Sequence, residues 1–291
     1  MKRWIEARLV VLSLAVGLAP LLAIALLGQR FGFSTAQGWL GVCWSALQKG
    51  ESGVVVVVLA ALFPALVVGG RSLWSVLRQA HSIRRLLLGL GLASPPPRLA
   101  HVAQELDIRR LDYTDTPEVF AFTHFGGVVV SRGLLELLSL DELKAVLLHE
   151  RCHLERRSPL RALLVTALAR GAGFLPVAKL LHRLWLLEEE LEADRAAARM
   201  GHETVASALL RLARHARKVG GVGILAGSLE LRVRALLGER CAPLEPALWR
   251  RAMGLSALIV LFLALTPGLL HAAPLELHLA VAPLHPPGES C

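Results

Sequence analysis

The chain has 291 residues, of which 54% are hydrophobic and 19% are charged, and its formal net charge is +9. This composition excludes an intrinsically disordered chain, because disordered chains are poor in apolar residues. Four cysteines without a CxxC pair exclude a disulfide scaffold and do not indicate a cysteine-based zinc site. A nucleic-acid-binding protein is not indicated either, since the sequence has no zinc-finger spacing and only one tyrosine.

Three apolar segments predict membrane-spanning helices. Residues 9–27 and 252–270 are each 19 residues without a charge, and the 18 residues 53–70, which include Pro64, are uncharged as well. A helix of about 20 apolar residues spans the roughly 30 Å hydrocarbon core of a bilayer. The apolar region of a signal peptide is shorter, about 7–15 residues, so we expect residues 9–27 to be retained as an anchor.

Lysine and arginine are distributed unevenly around these segments. Residues 71–251 contain 27 of the 32, whereas residues 28–52 contain two and residues 271–291 contain none. Because these residues accumulate on the cytoplasmic side of membrane proteins, we predict a cytoplasmic N-terminus and a cytoplasmic domain at 71–251. Residues 1–70 are then the N-terminal membrane region, 252–270 the last span and 271–291 a short external tail.

The first part of the domain at 71–251 combines helix and strand. Residues 71–92 have the pattern of a basic amphipathic helix, which the prolines at 95–97 end. Strand-forming residues at 119–122 and 128–130 flank Gly126-Gly127 and predict a β-hairpin. From about Gly133 onward the pattern is helical.

The next predicted helix carries a metal-binding motif. Ser139 and Glu142 fit a capping box that begins this helix, and we expect it to end by Ser158-Pro159, with Ser158 capping the following helix. His149-Glu150-Arg151-Cys152-His153 is an HExxH motif, whose spacing puts both imidazoles on one helical face, able to bind one Zn²⁺. Glu150 lies beside the first ligand, where it can activate water and carry its proton to a leaving amine. A solvated basic helix with two incidental histidines is the structural alternative.

A third zinc ligand is expected in the acidic segment 188–195. Glu190 and Asp194 are four residues apart, so one could bind the metal while the other accepts a hydrogen bond from a ligand imidazole. Alternatively, the segment is a solvated helix face. Residues 163–181 lie between the two motifs and are apolar, but they contain two basic residues, two glycines and a proline. Internal charges favour a buried or membrane-dipping helical hairpin over a span, and only then can His149 and Glu190 share one metal.

Several motifs together resemble a known family. The residues Val130–Leu135, Leu138-Ser139, Glu142-Leu143 and the HExxH motif resemble the gluzincin-type integral-membrane peptidases. The continuation Arg156-Arg157-Ser158-Pro159-Leu160 is most similar to the BlaR/MecR-type zinc peptidases of bacterial β-lactam sensing, although that family usually has aspartate where Ser158 stands. Leu175-Pro176 and residues 190–195 match as well, and the resemblance covers about residues 60–270.

The resemblance implies a site and a function. His149, His153 and Glu190 would hold one zinc ion per chain, Glu150 would be the catalytic base, and Asp194 would accept a hydrogen bond from a ligand histidine. The expected fold is a mainly α membrane protein with about three transmembrane helices and a cytoplasmic, gluzincin-like zinc-peptidase domain that carries a small β-hairpin or sheet. The expected place is the bacterial inner membrane, and the expected substrate is a transcriptional repressor or the protein itself. The family's sensors carry a penicillin-binding domain after the last span, whereas only 21 residues follow position 270 here, without Ser-x-x-Lys.

The leading hypothesis is therefore a membrane zinc metalloendopeptidase that cleaves a protein or peptide at the cytoplasmic face of the bilayer with zinc-activated water. One alternative is a quality-control protease of the HtpX or CAAX-prenyl-protease kind, which shares HExxH and ExxxD but not the Arg-Arg-x-Pro-Leu continuation. Another is a non-catalytic zinc-binding scaffold, against which the intact Glu150 argues. Tyr113, His182 and His202 are candidates for stabilising an oxyanion, and the hairpin could bind substrate along its edge strand.

Overall fold

The protein is described here by a computed structural model that covers residues 6–8, 10–12, 48, 52–218, 225–239 and 246–272. The first predicted span lies outside these residues except at 10–12, and the predicted tail lies outside them except at 271–272. Most of the predicted external loop at 28–52 is likewise outside the described residues.

The described residues are mainly helical, as the sequence predicts, with one small sheet. The elements in chain order are α1 (Ser52–Gly89), α2 (Pro97–Glu105), β1 (Leu111–Thr114), β2 (Ala121–Thr123), β3 (Val128–Ser131), α3 (Arg132–Leu137), α4 (Leu140–Glu155), α5 (Ser158–Gly171), α6 (Pro176–Ala197), α7 (His202–Lys218), α8 (Leu225–Leu236) and α9 (Pro246–Ala272). A single 3₁₀ turn, Ala198–Met200, joins α6 to α7.

The predicted hairpin is confirmed, and a further strand completes the sheet. The strand order is β1-β3-β2, and β3 pairs antiparallel with β2 and parallel with β1. All four residues of β3 are buried, whereas the three residues of β2 are half-buried. Among the strands that the structure describes, β2 pairs with β3 alone, so it is an edge strand of this sheet.

The predicted second span and the basic helix after it form one continuous helix, α1, which passes through Pro64. In the part of the chain that the structure describes, no helix combines the length and the apolar character needed to cross a bilayer. The three spans and their orientation therefore stay predictions.

The helical hairpin predicted at 163–181 is confirmed, because the chain turns between α5 and α6. Leu175, Leu181 and Trp185 of this hairpin lie in a buried cluster with Val68 of α1 and Ala252 of α9. Hydrophobic burial of these side chains, which contributes about 1.5–3 kcal/mol for each large one, holds α6 in place. The hairpin also brings the acidic segment of α6 back against α4.

A second buried cluster joins the sheet and α2 to α4, and its largest members are Leu99, Leu134 and Leu147. The predicted capping box begins α4: Ser139 Oγ accepts from the backbone N–H of Glu142, and the Glu142 carboxylate accepts from that of Ser139. The cap predicted for α5 is wrong. Arg157 is the N-cap residue, in the left-handed conformation with φ 52°, because the Ser158 hydroxyl donates to the buried Glu189 carboxylate instead.

Candidate metal centre

Two neighbouring helices bring the predicted ligands together. His149 and His153 lie one turn apart on α4, and their Nε2 atoms are 3.1 Å apart. Glu190 of α6 faces both, with Oε2 3.5 Å from His149 Nε2 and Oε1 3.7 Å from His153 Nε2. One ligand atom from each residue lies within 4.8 Å of the other two, and all three residues are half-buried or buried.

The donor set and its spacing fit a zinc ion. Bonds of about 2.0–2.1 Å in a tetrahedral arrangement separate neighbouring ligand atoms by about 3.3 Å. At this site the two Nε2 atoms are 3.1 Å apart, and they lie 3.5 and 3.7 Å from the two different oxygens of the Glu190 carboxylate. Two imidazole nitrogens and one carboxylate oxygen leave a fourth tetrahedral position for water or substrate, as catalytic zinc sites require.

Asp194 holds the first histidine in orientation. Its Oδ1 lies 3.0 Å from His149 Nδ1, and its side chain is 2% exposed. A proton on Nδ1 that is donated to Asp194 leaves Nε2 as the metal-binding nitrogen. The structure thus places Asp194 where the sequence analysis expects it.

Arg232 of α8 completes this network, and the sequence analysis did not find it. Its guanidinium binds Asp194 through two hydrogen bonds of 2.7 Å, and its Nη1 lies 2.8 Å from Glu190 Oε2. The residue is buried at 4% exposure. A single arginine 38 residues beyond Asp194 carries no local motif, so only the tertiary contact between α6 and α8 reveals it.

The second histidine also has a carboxylate beside its outer nitrogen. Glu189 Oε2 lies 3.9 Å from His153 Nδ1, and the Glu189 side chain is buried. The same carboxylate accepts from the Ser158 hydroxyl and lies 3.7 Å from Arg161 Nη1. Glu189 stands in the acidic run that the sequence analysis singled out, but its role was not predicted.

Glu150 is buried against the edge strand. The Oγ1 atom of Thr123, on β2, lies 2.8 Å from Glu150 Oε2 and 2.8 Å from the Glu150 backbone oxygen. Burial raises the pKa of the Glu150 carboxyl, while the positive charge of His149 and the hydrogen bond from Thr123 act in the opposite direction. A carboxylate with a raised pKa is suited to accept and return a proton near neutral pH.

Charges within the network compensate one another. Burial disfavours the imidazolium form of His149, but hydrogen bonds to Asp194 and Glu190 outweigh it and raise the pKa to about 9. Burial raises the pKa of Glu190 and of Asp194, but hydrogen bonds to His149 and the charge of Arg232 outweigh it and lower each to about 2. Both carboxylates are therefore ionised at neutral pH.

A cavity of about 1000 Å³ opens onto these residues. Its wall is mostly apolar and comes from α7, from α5 and from the segment around β2, including Phe120, Phe122, Leu209 and Leu212, with His215 and Arg232 as further polar members. The candidates Tyr113, His182 and His202 are not among the described lining residues. The Tyr113 hydroxyl donates to Asp115, His182 pairs with Thr166 Oγ1 at 3.0 Å, and His202 begins α7 in an exposed position.

A comparison with known protein families finds a match to part of this chain. Residues 98–184 match the model of Peptidase family M48. This match includes the sheet, α4 with its HExxH motif, and the first part of α6, and it ends before Glu190. The match supports a metalloprotease, an enzyme that hydrolyses peptide bonds, for this region. The family is zinc-dependent in general, in agreement with the ligand geometry.

A curated relative agrees with this assignment. A segment of 64 residues is 41% identical to a protein named Protease HtpX homolog from Aquifex aeolicus (strain VF5). The segment covers 21% of this chain and 21% of the relative, so the chain matches about a fifth of the relative's length. Both similarities support an M48-type metallopeptidase, and neither distinguishes the BlaR/MecR type.

Proposed function

We propose that the protein is a membrane-associated zinc metalloendopeptidase, in which His149, His153 and Glu190 hold one zinc ion per chain. The observation that carries this proposal is the convergence of three ligand atoms within 4.8 Å beside the buried Glu150. A zinc ion bound there would supply Lewis acidity, which polarises a scissile carbonyl and lowers the pKa of water.

Residues of the chain transfer the proton and orient the side chains of the site. Glu150 accepts a proton from the attacking water and returns it to the nitrogen of the leaving amine. Thr123 holds Glu150 Oε2 at 2.8 Å, which fixes the orientation of this carboxylate. Asp194 and Arg232 keep His149 and Glu190 oriented toward the same point.

The cavity and β2 favour an extended polypeptide as substrate. An extended peptide can add to an edge strand by main-chain hydrogen bonds, and β2 brings Thr123 directly to Glu150. The apolar wall of the cavity would accept apolar side chains of that peptide. Cleavage would then take place within a chain at the cytoplasmic face of the bacterial inner membrane, a location that the distribution of lysine and arginine supports.

Two biological settings fit this activity about equally. The Arg-Arg-x-Pro-Leu continuation at 156–160 supports a BlaR/MecR-type signalling peptidase that cleaves a repressor or itself. The similarity to the Aquifex protein supports a quality-control protease of the HtpX kind. Incubation with a panel of unfolded membrane proteins separates the two, because only the quality-control protease is expected to cleave many of them.

Zinc content and peptide hydrolysis, measured on the full-length protein in detergent, test the proposed site. Wild type is expected to contain about one zinc ion per chain and to cleave an unfolded protein substrate. Glu190→Ala is expected to lose most of the zinc, since two histidines alone bind it weakly. Glu150→Gln is expected to keep the zinc and to lose cleavage by at least about a hundredfold.

The same measurements have outcomes that would contradict the proposed site. A zinc-free wild type would overturn the metal centre. A Glu150→Gln protein that cleaves as fast as wild type would exclude Glu150 as the base. Zinc-loaded wild type that cleaves neither the panel nor itself would favour the non-catalytic scaffold.

A further inference from the structure

A second cavity, of about 540 Å³, lies between α1 and α5 and is lined by three arginines. Arg71 and Arg78 come from α1 and Arg170 from the end of α5, with Trp74, Ser75 and Gln79 between them. No acidic residue is among the described residues that line it. The cavity is thus strongly cationic, and the metal centre does not use it.

Two of the three arginines are held in place by neutral partners. Arg170 Nη1 donates to the buried Ser75 Oγ at 3.2 Å, and Arg71 Nε donates to the backbone oxygen of Arg170 at 3.2 Å. Within the described part of the chain, no carboxylate forms an ion pair with any of the three. By contrast, Arg161 and Arg232 near the metal centre each contact carboxylates. Several guanidinium N–H groups therefore face the cavity without an anion to accept them.

The surface beside the cavity is apolar. Trp74 is 67% exposed, and Phe63, three helical turns before it on the same face of α1, is 65% exposed. Leu66 and Leu73 are also exposed on this helix. Tryptophan beside basic residues, next to an exposed apolar surface, is characteristic of the boundary between lipid chains and headgroups.

We propose that this cavity binds the phosphate group of an anionic phospholipid. Guanidinium groups bind phosphate oxygens through paired, charge-assisted hydrogen bonds. The acyl chains of the lipid would lie along the exposed apolar surface of α1 at Phe63 and Leu66. Inorganic phosphate shares the headgroup chemistry but would leave that apolar surface unused, so the structure favours the lipid.

The arginine cavity adjoins the cavity of the metal centre. Gln79 and Ile83 line both the arginine cavity and the cavity of the metal centre. A phospholipid headgroup in the first would therefore lie directly beside the second. The lipid site is independent of the proposed peptidase activity, because no contact among the described residues joins Arg71, Arg78 or Arg170 to a proposed metal ligand.

Native mass spectrometry of the full-length protein in a neutral detergent tests the proposal with dioleoyl phosphatidylglycerol as the probe. The double variant Arg71→Gln/Arg78→Gln removes two cavity charges. Arg84→Gln/Arg85→Gln removes the same charge from positions on the same helix that are exposed, as Arg71 and Arg78 are, but lie outside the cavity. We expect wild type and the Arg84/Arg85 variant to retain one phosphatidylglycerol per chain, and the Arg71/Arg78 variant to bind it at least roughly tenfold more weakly.

Equal losses in the two double variants would overturn the proposal, because they would reveal a general charge effect. A single variant, Arg78→Glu, leaves the contacts of Arg71 and Arg170 intact and puts a carboxylate into the cavity. We expect it to lose the lipid without a change in melting temperature, and full retention would contradict the site.

Two further probes distinguish the sources of phosphate. Dioleoyl phosphatidylcholine has the same acyl chains without net charge, and we expect it to be retained at least roughly tenfold less than phosphatidylglycerol. Inorganic phosphate is expected not to displace phosphatidylglycerol. Displacement by inorganic phosphate at comparable concentration would show that the apolar surface contributes nothing, and the lipid proposal would fail.

Discussion

Thr123 and Glu150 come from distant parts of the sequence and meet at the candidate site. The hydroxyl of Thr123 lies 2.8 Å from the carboxylate that we propose as the base. Thr123 is not one of the three proposed metal ligands, so we expect it to act by positioning Glu150. Replacing it should therefore change the rate of hydrolysis while the bound zinc is unaffected.

We expect Thr123→Val to lower kcat about tenfold, since a hydrogen bond to a charged group contributes about 1.5–3 kcal/mol. Valine keeps the shape of threonine and suits a strand. Thr123→Ser retains the hydroxyl and should recover most of the rate. Steady-state kinetics with elemental analysis of zinc check the prediction, and an unchanged kcat in Thr123→Val would exclude the positioning role.

Arg232 compensates two carboxylates in a buried environment. Its removal would leave Asp194, which is 2% exposed, without the two hydrogen bonds that its carboxylate accepts from the guanidinium. Breaking a buried ion pair on one side costs about 3–5 kcal/mol. We expect Arg232→Ala to lower the free energy of unfolding by about 3 kcal/mol in denaturant titrations with a chelator present.

Arg234 on the same helix is the matched control. It pairs with Glu230 and Glu239, and all three side chains are more than half exposed. Exposed pairs contribute about 0–1 kcal/mol, so Arg234→Ala should have a small effect. A similar loss in both variants would mean that Arg232 stabilises α8 as an ordinary surface arginine does.

At the scale of elements, the contact between α1 and α5 depends on the absence of a side chain at Gly171. A methyl group there would lie 2.1 Å from Ser72 Oγ and 2.8 Å from the backbone oxygen of Val68. Backbone cannot yield as a flexible side chain does, so the helices would have to separate. The same contact brings Arg170 beside α1.

We expect Gly171→Ala to lower the free energy of unfolding by about 1–3 kcal/mol, which is the usual cost of overpacking. Gly69→Ala on α1 is the control, because nothing lies within 4 Å of the added methyl group. Alanine favours helix over glycine by about 1 kcal/mol, so the control should be neutral or stabilising. Thermal melting in detergent separates the two, and a stabilised Gly171→Ala would refute the close packing.

The elements around the site were predictable to different degrees. α4 was predicted because the capping box and the HExxH spacing are local signals within 16 residues. The hairpin of α5 and α6 was predicted from charges inside an apolar stretch. β1 was not predicted. It pairs in parallel with β3, which lies further along the chain, so the sequence has no tight turn between the two strands that would indicate the pairing. The cap of α5 was wrong because the tertiary partner of Ser158, Glu189, outweighed its local capping preference.

At the scale of the whole molecule, two buried clusters hold the two halves of the candidate site. One cluster joins α4 to the sheet, and the other joins α6 to α1 and α9. The ligands meet where these clusters adjoin, so the pairing of His149 with Glu190 could be expected only after 163–181 was recognised as a hairpin. Arg232 and Glu189 could not be expected, because each depends on a contact between elements that no motif encodes.

Because β2 is short, it limits the affinity with which the cleft can bind a substrate peptide. A strand of three residues offers an added peptide about two main-chain hydrogen bonds, each worth about 0.5–1.5 kcal/mol net. Micromolar affinity requires about 8 kcal/mol, so a short free peptide should dissociate before most encounters become productive. A polypeptide confined to the same surface would instead return repeatedly at high effective concentration. Selection of substrates would then depend on where they reside as much as on what sequence they present.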